Sequence, residues 1–482
     1  MSRMTNTITK LKERLRPTHA ATRVMVKTMG MMGAVKILYI LCALVRNKLI
    51  AIWVGPAGVG LTILYTSVLE LIGQSTRLNI DQSAVRDISK AAKADLPATV
   101  SVVRIWSVAL GLLAAVLVCL LSPVLSYWSF GDTSKWWTFC VLAIMPASAT
   151  IFNGLQAILQ GTKNYTAIAR ANSLITVVGV VAAIPLAYFL REDSIVWILF
   201  AYGMASLTAS LVFAPRFKAV AMTVRQVIAR GKSFLKLGAL ISVGVVAAQL
   251  FNYLFILFLN DYASTDTLGI YQAGYTLVNT YVGLMFAGMW MDFFPKVSAM
   301  THSPFRTSVT VSHQMAISVW LLMPLVAAFV AVDQLAVTIL YADTFLDMLP
   351  FITLGIAGVV LRSASWCLSF VILARGDGHI YVITETVSGA VFLILHVLLF
   401  STWGFIGLGV AYILWYAVYT AMCYWIYTKR YGLTLMPGTW KSVAVSTAFC
   451  LAAAIAKLLV GWWLPLIMAL AIIPHTIKYV RK

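Results

Sequence analysis

Apolar runs of about 20 residues recur along the chain from Met32 onward, and this repetition constrains the fold more than any other feature. A run of that length spans the ~30 Å hydrocarbon core of a bilayer as an α-helix. Charged residues make up 11% of the 482 residues and the mean hydropathy is +0.90, whereas a soluble domain carries about 25% charged residues. Transmembrane barrels alternate polar and apolar residues, which these runs do not. The sequence therefore predicts an all-α polytopic membrane protein.

Hydropathy and helix-breaking residues divide the apolar sequence into fourteen predicted membrane-spanning helices, of which the last is short. We place them at residues 32–54, 57–80, 98–125, 136–160, 167–190, 194–214, 233–258, 268–294, 307–331, 348–374, 380–401, 405–426, 441–460 and 464–477. The six cysteines lie in or near these runs and form no CxxC pair, so they read as small core residues.

The distribution of positive charge predicts the topology. With the N-terminus inside, the cytoplasmic segments hold 28 of the 36 Lys and Arg residues, and the opposite side holds only Lys135 and Arg191 beside eight acidic residues. Cytoplasmic loops carry the excess of Lys and Arg in membrane proteins. We therefore expect a multi-pass membrane protein with both termini in the cytoplasm. The net charge of +20 then faces anionic lipid headgroups and requires no nucleic acid.

A basic connection divides the predicted helices. Residues 215–236 hold six Lys and Arg and no acid, and they separate the first six spans from the next six. Two six-helix lobes around a central site are typical of alternating-access transporters. The predicted organisation is a basic N-terminal segment, an N-lobe, a basic linker, a C-lobe and an extra C-terminal hairpin, at residues 1–31, 32–214, 215–236, 237–428 and 429–482.

Polar side chains follow helical spacing inside several predicted spans. Because a lipid-facing polar stripe is costly, each stripe lines a cavity or binds a neighbouring helix. The stripe of the second span ends in Arg77 and Asp81, which can also pair with each other. The stripes are Ser67, Glu70, Gln74, Arg77 and Asp81; Asn153, Gln156 and Gln160; Ser242, Gln249 and Asn252; Gln272, Tyr275 and Asn279; Arg362, Ser365, Trp366 and Ser369; and Tyr381, Glu385, Ser388 and His396.

Lysine and arginine residues inside the predicted spans are the strongest indication of a functional site in the sequence. A charge at the bilayer centre costs ~2.5–3.5 kcal/mol on insertion scales, so it faces protein or water. Arg46 and Arg362 lie deepest and are the strongest interior cations, followed by Lys48. The cations Lys36, Arg104 and Lys457 lie close enough to a helix end to snorkel toward the interface.

A cavity with several cations, amides and phenols suits an anionic, sugar-like cargo, because arginine grips phosphate oxygens bidentately and stays charged. The two intramembrane glutamates, Glu70 and Glu385, could titrate with a coupling proton or merely neutralise neighbouring cations. The predicted substrate-binding residues are Arg46, Lys48, Arg77, Arg362, Asn153, Gln156, Gln249, Asn252, Gln272, Tyr275 and Asn279.

Three blocks of sequence resemble Wzx-type flippases of lipid-linked oligosaccharides. They are "NKLIAIWVGPAGVGL" at 47–61 with "QSAVRDISK" at 82–90, "LGIYQAGYTLVNTYVGLMFAGMWMDFFPKVSAM" at 268–300, and "FLDMLPFITLGIAGVVLRSASWCLSFVILARGDGHIYVITETV" at 345–387. Their order matches that of the family across the first twelve spans. Lys48 falls at a lysine that the family also has before its Gly-Pro-Ala-Gly turn, whereas Arg46 has no such match.

The resemblance implies the fold of the multidrug/oligosaccharidyl-lipid/polysaccharide (MOP) exporter superfamily, which includes the MATE transporters. Two six-helix bundles would surround a central cationic cavity. The implied function is the transfer of undecaprenyl-pyrophosphate-linked repeat units, of O-antigen or a similar glycan, from the inner to the outer leaflet. The implied partners are the lipid-linked glycan, anionic lipids and the glycan polymerase machinery.

Three alternatives remain open at this point. A lipid II-type flippase fits because those proteins also have fourteen helices. A MATE-like drug/cation antiporter would carry a cation, which an excess of arginine and lysine repels. A membrane glycosyltransferase or ligase would be the enzymatic alternative, but the sequence offers no HExxH motif, large outer loop or evident catalytic or metal-binding set. We therefore expect a transporter without a cofactor.

We predict that Glu70→Gln or Glu385→Gln impairs energy coupling, because an amide cannot take up or release a proton. Transport under an imposed proton gradient measures this effect. Transport equal to that of the parent protein would exclude the substituted glutamate from coupling.

Overall fold

The computed structural model describes residues 35, 38–92, 94–215, 217, 220 and 222–480, and the regular elements in these ranges are all helical. We number the α-helices in chain order and refer to their ends by the sides that the charge distribution predicts, cytoplasmic and outer. The helices are α1 (38–53), α2 (Pro56–Arg77), α3 (Ile80–Lys90), α4 (Leu96–Phe130), α5 (Trp136–Leu142), α6 (Ile144–Gly161), α7 (Tyr165–Leu190), α8 (Ser194–Val212), α9 (Val224–Tyr262), α10 (Thr265–Met300), α11 (Pro304–Leu340), α12 (Leu349–Ala374), α13 (Gly378–Trp425), α14 (Thr439–Leu459) and α15 (Trp463–Val480).

Ten helices of the described chain are long and apolar enough to cross a membrane, which confirms the prediction of a polytopic helical membrane protein. The predicted boundary between the eleventh and twelfth spans falls within α13. There Gly404 has a non-helical backbone, with φ 57° and ψ −134°, and it divides the helix into a first arm (378–403) and a second arm (405–425). The first predicted span begins at residues 32–34, which lie outside the described residues. The count of fourteen spans stays a prediction.

Several helices exceed their predicted lengths. Helices α9, α10 and α11 contain 39, 36 and 37 residues, because hydropathy marks where the bilayer ends and not where a helix ends. The second predicted span, 57–80, instead extends past the end of α2 at Arg77. Leu78 and Asn79 both have positive φ, 50° and 47°, and this left-handed backbone ends α2. Asp81 therefore lies on α3 and does not continue the polar stripe of α2.

The basic connection between the predicted lobes is partly helical. Thr223 caps α9 with a reciprocal pair of hydrogen bonds to Gln226, so the second half of residues 215–236 forms the first turns of α9. This segment packs on α4, where Trp106 Nε1 donates to the carbonyl of Val227 at 3.3 Å. Arg104, which we expected to snorkel, donates to the carbonyl oxygen of Pro215. The polar groups of α4 thus fix the connection against the first half of the chain.

Two hydrophobic cores lie mainly on either side of this connection, and a third joins the halves by packing Leu64 of α2 against Phe255 and Tyr271. One core joins α2, α4, α5 and α8 around Tyr65, Phe139 and Leu142, and a larger one joins α10 to α14 around Val319, Ile352 and Tyr412. The halves meet at the outer ends of α2 and α10. A Cβ at Gly60 would lie 2.1 Å from the carbonyl oxygen of Thr265, so only glycine permits this approach. This contact joins the halves at their outer ends.

The C-terminal helices α14 and α15 pack on α11 around a buried ion pair. Lys457 Nζ lies 3.1 Å from Asp333 Oδ1, and the Asp333 side chain is 0% exposed. The second carboxylate oxygen of Asp333 accepts a hydrogen bond from Thr353 at 2.6 Å. Lys457 therefore pairs inside the protein instead of snorkelling, and it anchors α14 to the second half of the chain.

We predict that Lys457→Met lowers the free energy of unfolding by about 3–5 kcal/mol, because it leaves the carboxylate of Asp333 buried without its cation. Adding Asp333→Asn to the same chain should restore most of that loss. Thermal unfolding in detergent measures both effects, with Lys441→Met, at an exposed position of the same helix, as the matched control. Equal stability of the parent, the single variant and the control would contradict the anchoring role.

Candidate functional site

A cavity of about 1260 Å³ lies between the two halves of the chain. Its walls come from α1, α2, α6 and α8 on one side and from α9, α10, α12 and α13 on the other. Pockets for drug-sized ligands measure about 300–1,000 Å³, so this cavity has room for a ligand of several rings. We call it the central cavity.

Arg46 enters the central cavity from α1. Its guanidinium lies 5.3 Å from the centroid of the Tyr202 ring on α8, and its Nη2 donates to Asn47 Oδ1 at 3.3 Å. A phenol ring and an amide orient the guanidinium without cancelling its charge. Arg46 therefore presents a positive charge to the cavity from the first half of the chain.

Arg362 enters the central cavity from α12. Its Nη1 donates to Asn279 Oδ1 at 2.5 Å and to the hydroxyl of Tyr412 at 3.4 Å. The guanidinium also lies 5.2 Å from the ring of Trp366 and 5.9 Å from that of Tyr416. These partners are uncharged, so they position a second cation from the opposite half.

Two glutamates line the same cavity. Glu70 lies on α2, and Glu385 lies on α13, where its Oε1 accepts a hydrogen bond from Tyr419 at 2.7 Å. The charged residues that line the described cavity are thus two arginines and two glutamates. The positive character that we expected depends on whether the glutamates carry protons, because two ionised carboxylates would balance both guanidinium groups.

Six of the eleven predicted substrate-binding residues line the central cavity. They are Arg46, Arg362, Gln249, Asn252, Gln272 and Tyr275. The two predicted coupling residues, Glu70 and Glu385, line it as well.

The other five predicted residues lie outside the cavity lining: Lys48, Arg77, Asn153, Gln156 and Asn279. Gln156 donates to Asn172 Oδ1 at 3.2 Å, which joins α6 to α7. Asn279 holds Arg362 in place, and Lys48 donates to carbonyl oxygens at the end of α11. Helical spacing identifies which residues share a face, but it does not identify the neighbour that the face meets, and this explains the difference.

Aromatic residues form a large part of the cavity wall, and sequence reasoning missed most of them. On the second arm of α13, Tyr416 and Tyr419 of the cavity wall follow Tyr412 at helical spacing, and this spacing was visible in the sequence. Tyr412 itself contacts Arg362 and does not line the cavity. The aromatic residues of the cavity lining are Tyr39, Tyr202, Tyr275, Trp366, Phe370, Tyr381, Phe392, Trp415, Tyr416 and Tyr419. Among the described residues, no group of three or more His, Cys, Asp or Glu side chains is placed to hold a metal ion.

Comparisons with known proteins agree with this architecture. Residues 50–350 match the family model described as "Polysaccharide biosynthesis protein". The structure of the lipid II flippase MurJ in its inward closed conformation has a TM-score of 0.69 and 10% identity, and the match covers 94% of this chain and 98% of that one.

Two further solved structures have similar folds. An inward-facing multidrug resistance MATE family transporter of the MOP superfamily has a TM-score of 0.64 and 15% identity, with 80% of this chain and 94% of that chain covered. A MOP superfamily transporter from Pyrococcus furiosus, described as having a binding pocket of reverse polarity, has a TM-score of 0.59 and 19% identity, with 86% and 96% covered.

At these identities the structural likeness establishes the fold alone. No curated protein matches the chain. The family match nevertheless covers more than half of the 482 residues. The chain belongs to the polysaccharide biosynthesis protein family and has the fold of the MOP transporter superfamily.

Proposed function

We propose that the protein is a flippase that moves an undecaprenyl-pyrophosphate-linked oligosaccharide, an O-antigen or similar repeat unit, from the cytoplasmic to the periplasmic leaflet of the bacterial inner membrane. The observation that carries this proposal is the arrangement of Arg46 and Arg362, which line one cavity from opposite halves of the chain and are held by uncharged partners. The two halves act as the moving lobes of an alternating-access cycle, and both termini lie in the cytoplasm.

The two arginines bind the diphosphate of the cargo. A guanidinium group forms two parallel hydrogen bonds to phosphate oxygens, and its charge persists at any working pH. Amide and aromatic partners leave these charges available, whereas a bound carboxylate would neutralise them. An anionic head between Arg46 and Arg362 therefore gains attraction from both walls at once.

The remaining cavity surface suits the glycan. The amides of Gln249, Asn252 and Gln272 can donate to and accept from sugar hydroxyls. The rings of Trp366 and Tyr416 offer flat apolar faces against which sugar rings can pack. This combination favours a glycan head over a purely lipidic or purely ionic cargo.

The likeness to MurJ favours a lipid II-type flippase as the second candidate, because that match extends over 94% of this chain. It differs from the first proposal only in the glycan carried. A drug/cation antiporter is less well supported, because two arginines in the cavity oppose a cationic cargo. Contact with the glycan polymerase machinery is part of the same proposal, since a flipped repeat unit must be passed on.

We predict that Arg46→Ala or Arg362→Ala abolishes the surface glycan while the protein still reaches the membrane. Removing one partner of a desolvated ion pair costs about 2–5 kcal/mol of binding. Glycan immunoblots of cells that carry each variant measure the loss, and membrane fractionation confirms localisation. Arg191→Ala is the matched control, because Arg191 is exposed and donates to the backbone of Trp53.

Wild-type glycan levels in both cavity variants would refute the proposed site. Loss of cell-wall precursor flipping with unchanged surface glycan would instead favour the lipid II-type candidate.

We predict that Asn279→Leu also reduces export, although Asn279 does not line the cavity. The substitution removes the amide oxygen that accepts from Arg362, and the buried guanidinium loses about 1.5–3 kcal/mol of hydrogen bonding. Thermal unfolding and glycan export should both decline. The control is Asn153→Leu, also an asparagine outside the cavity lining, which should leave export unchanged. Export and stability of the Asn279→Leu variant equal to those of the parent protein would show that Asn279 does not position Arg362.

A further inference from the structure

A second, smaller cavity of about 210 Å³ lies between α1, α2 and α10. It shares lining residues with the central cavity, including Arg46, Thr62 and Gln272. The two cavities therefore meet, and Arg46 lies at their boundary. We call the smaller one the outer chamber, because it reaches Tyr341 at the outer end of α11; it also extends along α1 to Tyr39, on the cytoplasmic side of Arg46.

The lining of the outer chamber is mostly apolar but carries several groups that can form hydrogen bonds. Hydroxyls and amides come from Thr62, Thr66, Gln272, Thr276 and Asn47. Asn47 also accepts the hydrogen bonds of Arg46. An anion can thus pass from the central cavity into the outer chamber while it stays in contact with the guanidinium of Arg46.

Lys48 lies beside the outer chamber, next to Tyr341, although it is not itself one of the lining residues. Its Nζ donates to the carbonyl oxygen of Thr338 at 2.7 Å and to that of Tyr341, a residue of the chamber lining. The last carbonyls of a helix lack partners inside the helix and carry the negative end of its dipole, so an ammonium group satisfies them. Lys48 belongs to α1 and these carbonyls to the end of α11, so the contact joins the two halves of the chain.

We propose that the outer chamber is a second binding station for the diphosphate of the cargo and that Lys48 is the latch that keeps its outer end closed. This inference rests on the proposed function. A diphosphate carries full negative charges, whereas the end of a helix carries about half a charge. A diphosphate in the chamber therefore competes with the α11 carbonyls for Lys48, and its arrival releases the contact between the halves.

The first experiment tests the chamber with inorganic pyrophosphate as the probe. Two cysteine reporters, Ser369→Cys in the central cavity and Thr276→Cys in the outer chamber, are made separately in the full-length chain. The three cysteines that are not buried, Cys42, Cys119 and Cys140, are first replaced by alanine. The rate at which a small thiol reagent modifies each reporter is measured in detergent with and without pyrophosphate.

We expect pyrophosphate to slow modification of both reporters by about tenfold or more. Arg46→Gln should abolish protection of the Thr276→Cys reporter, and Arg362→Gln should leave it. Protection of the Ser369→Cys reporter alone would overturn the proposal that the outer chamber binds the diphosphate, and it would leave the proposed function intact. Protection of neither reporter would overturn the proposed function itself.

The second experiment tests the latch without any cargo. A membrane-impermeant thiol reagent is added to the outer side of cells that carry the Thr276→Cys reporter. Lys48→Met should speed modification by about tenfold, because the hydrogen bonds of a charged donor are lost. Lys48→Arg, which can still donate, should restore the slow rate. Lys135→Met is the matched control, because Lys135 is an exposed residue of the outer side that packs on Phe130.

If the Thr276→Cys reporter is modified at the parent rate in the chain that carries Lys48→Met, the proposed role of Lys48 as a latch is overturned. If Lys48→Met does not yield folded protein on gel filtration, Lys48→Gln replaces it, since glutamine is neutral and has a similar size. Faster modification in the Lys135→Met control would also overturn it, because the effect would then not depend on Lys48.

Discussion

The cost of placing a guanidinium inside a membrane protein governs the rest of this structure. Arg362 meets that cost with an amide, a phenol and two aromatic faces, so its hydrogen bonds are partly satisfied while its charge stays intact. A carboxylate partner would satisfy the group more strongly but would remove the charge. In the proposed function, these neutral partners leave the guanidinium charge available to an anionic cargo, and the packing of α10, α12 and α13 holds the partners in place.

The glutamates of the central cavity determine whether a proton would bind together with the cargo or be displaced by it. Two arginines and two glutamates line the cavity. In the proposed function, protonating a glutamate would strengthen diphosphate binding, and by linkage a bound diphosphate would favour protonation. A proton taken up with the cargo would have to move outward, against an inward proton gradient. The inside-negative potential acts in the favourable direction, because it drives an anion outward by about 2.3 kcal/mol per charge for 100 mV. In the proposed function, the potential is the better match to these charges.

The sequence predicted the membrane class, most helix positions and both cavity arginines, because hydropathy and the cost of buried charge are local properties. It did not predict where α2 ends, since that depends on the left-handed backbone of Leu78 and Asn79. Lys48 was assigned to the cavity as an interior cation and Gln156 as part of a polar stripe, yet their hydrogen-bond partners lie on other helices. Tertiary packing decides which helices become neighbours, and those neighbours cannot be inferred from a single sequence.

The two arginines belong to different halves of the chain, so each can move together with its own half. Arg46 is held by Asn47 and Tyr202, both in the first half of the chain. Arg362 is held by Asn279 and Tyr412, both in the second half. Each cation therefore keeps its own partners when one half moves relative to the other. In the proposed function, a diphosphate bound to both arginines would join the halves on the cavity side, as Lys48 and Gly60 join them on the outer side. On this proposal the outer side opens while the cavity contact holds, so the anion stays bound until its exit is open.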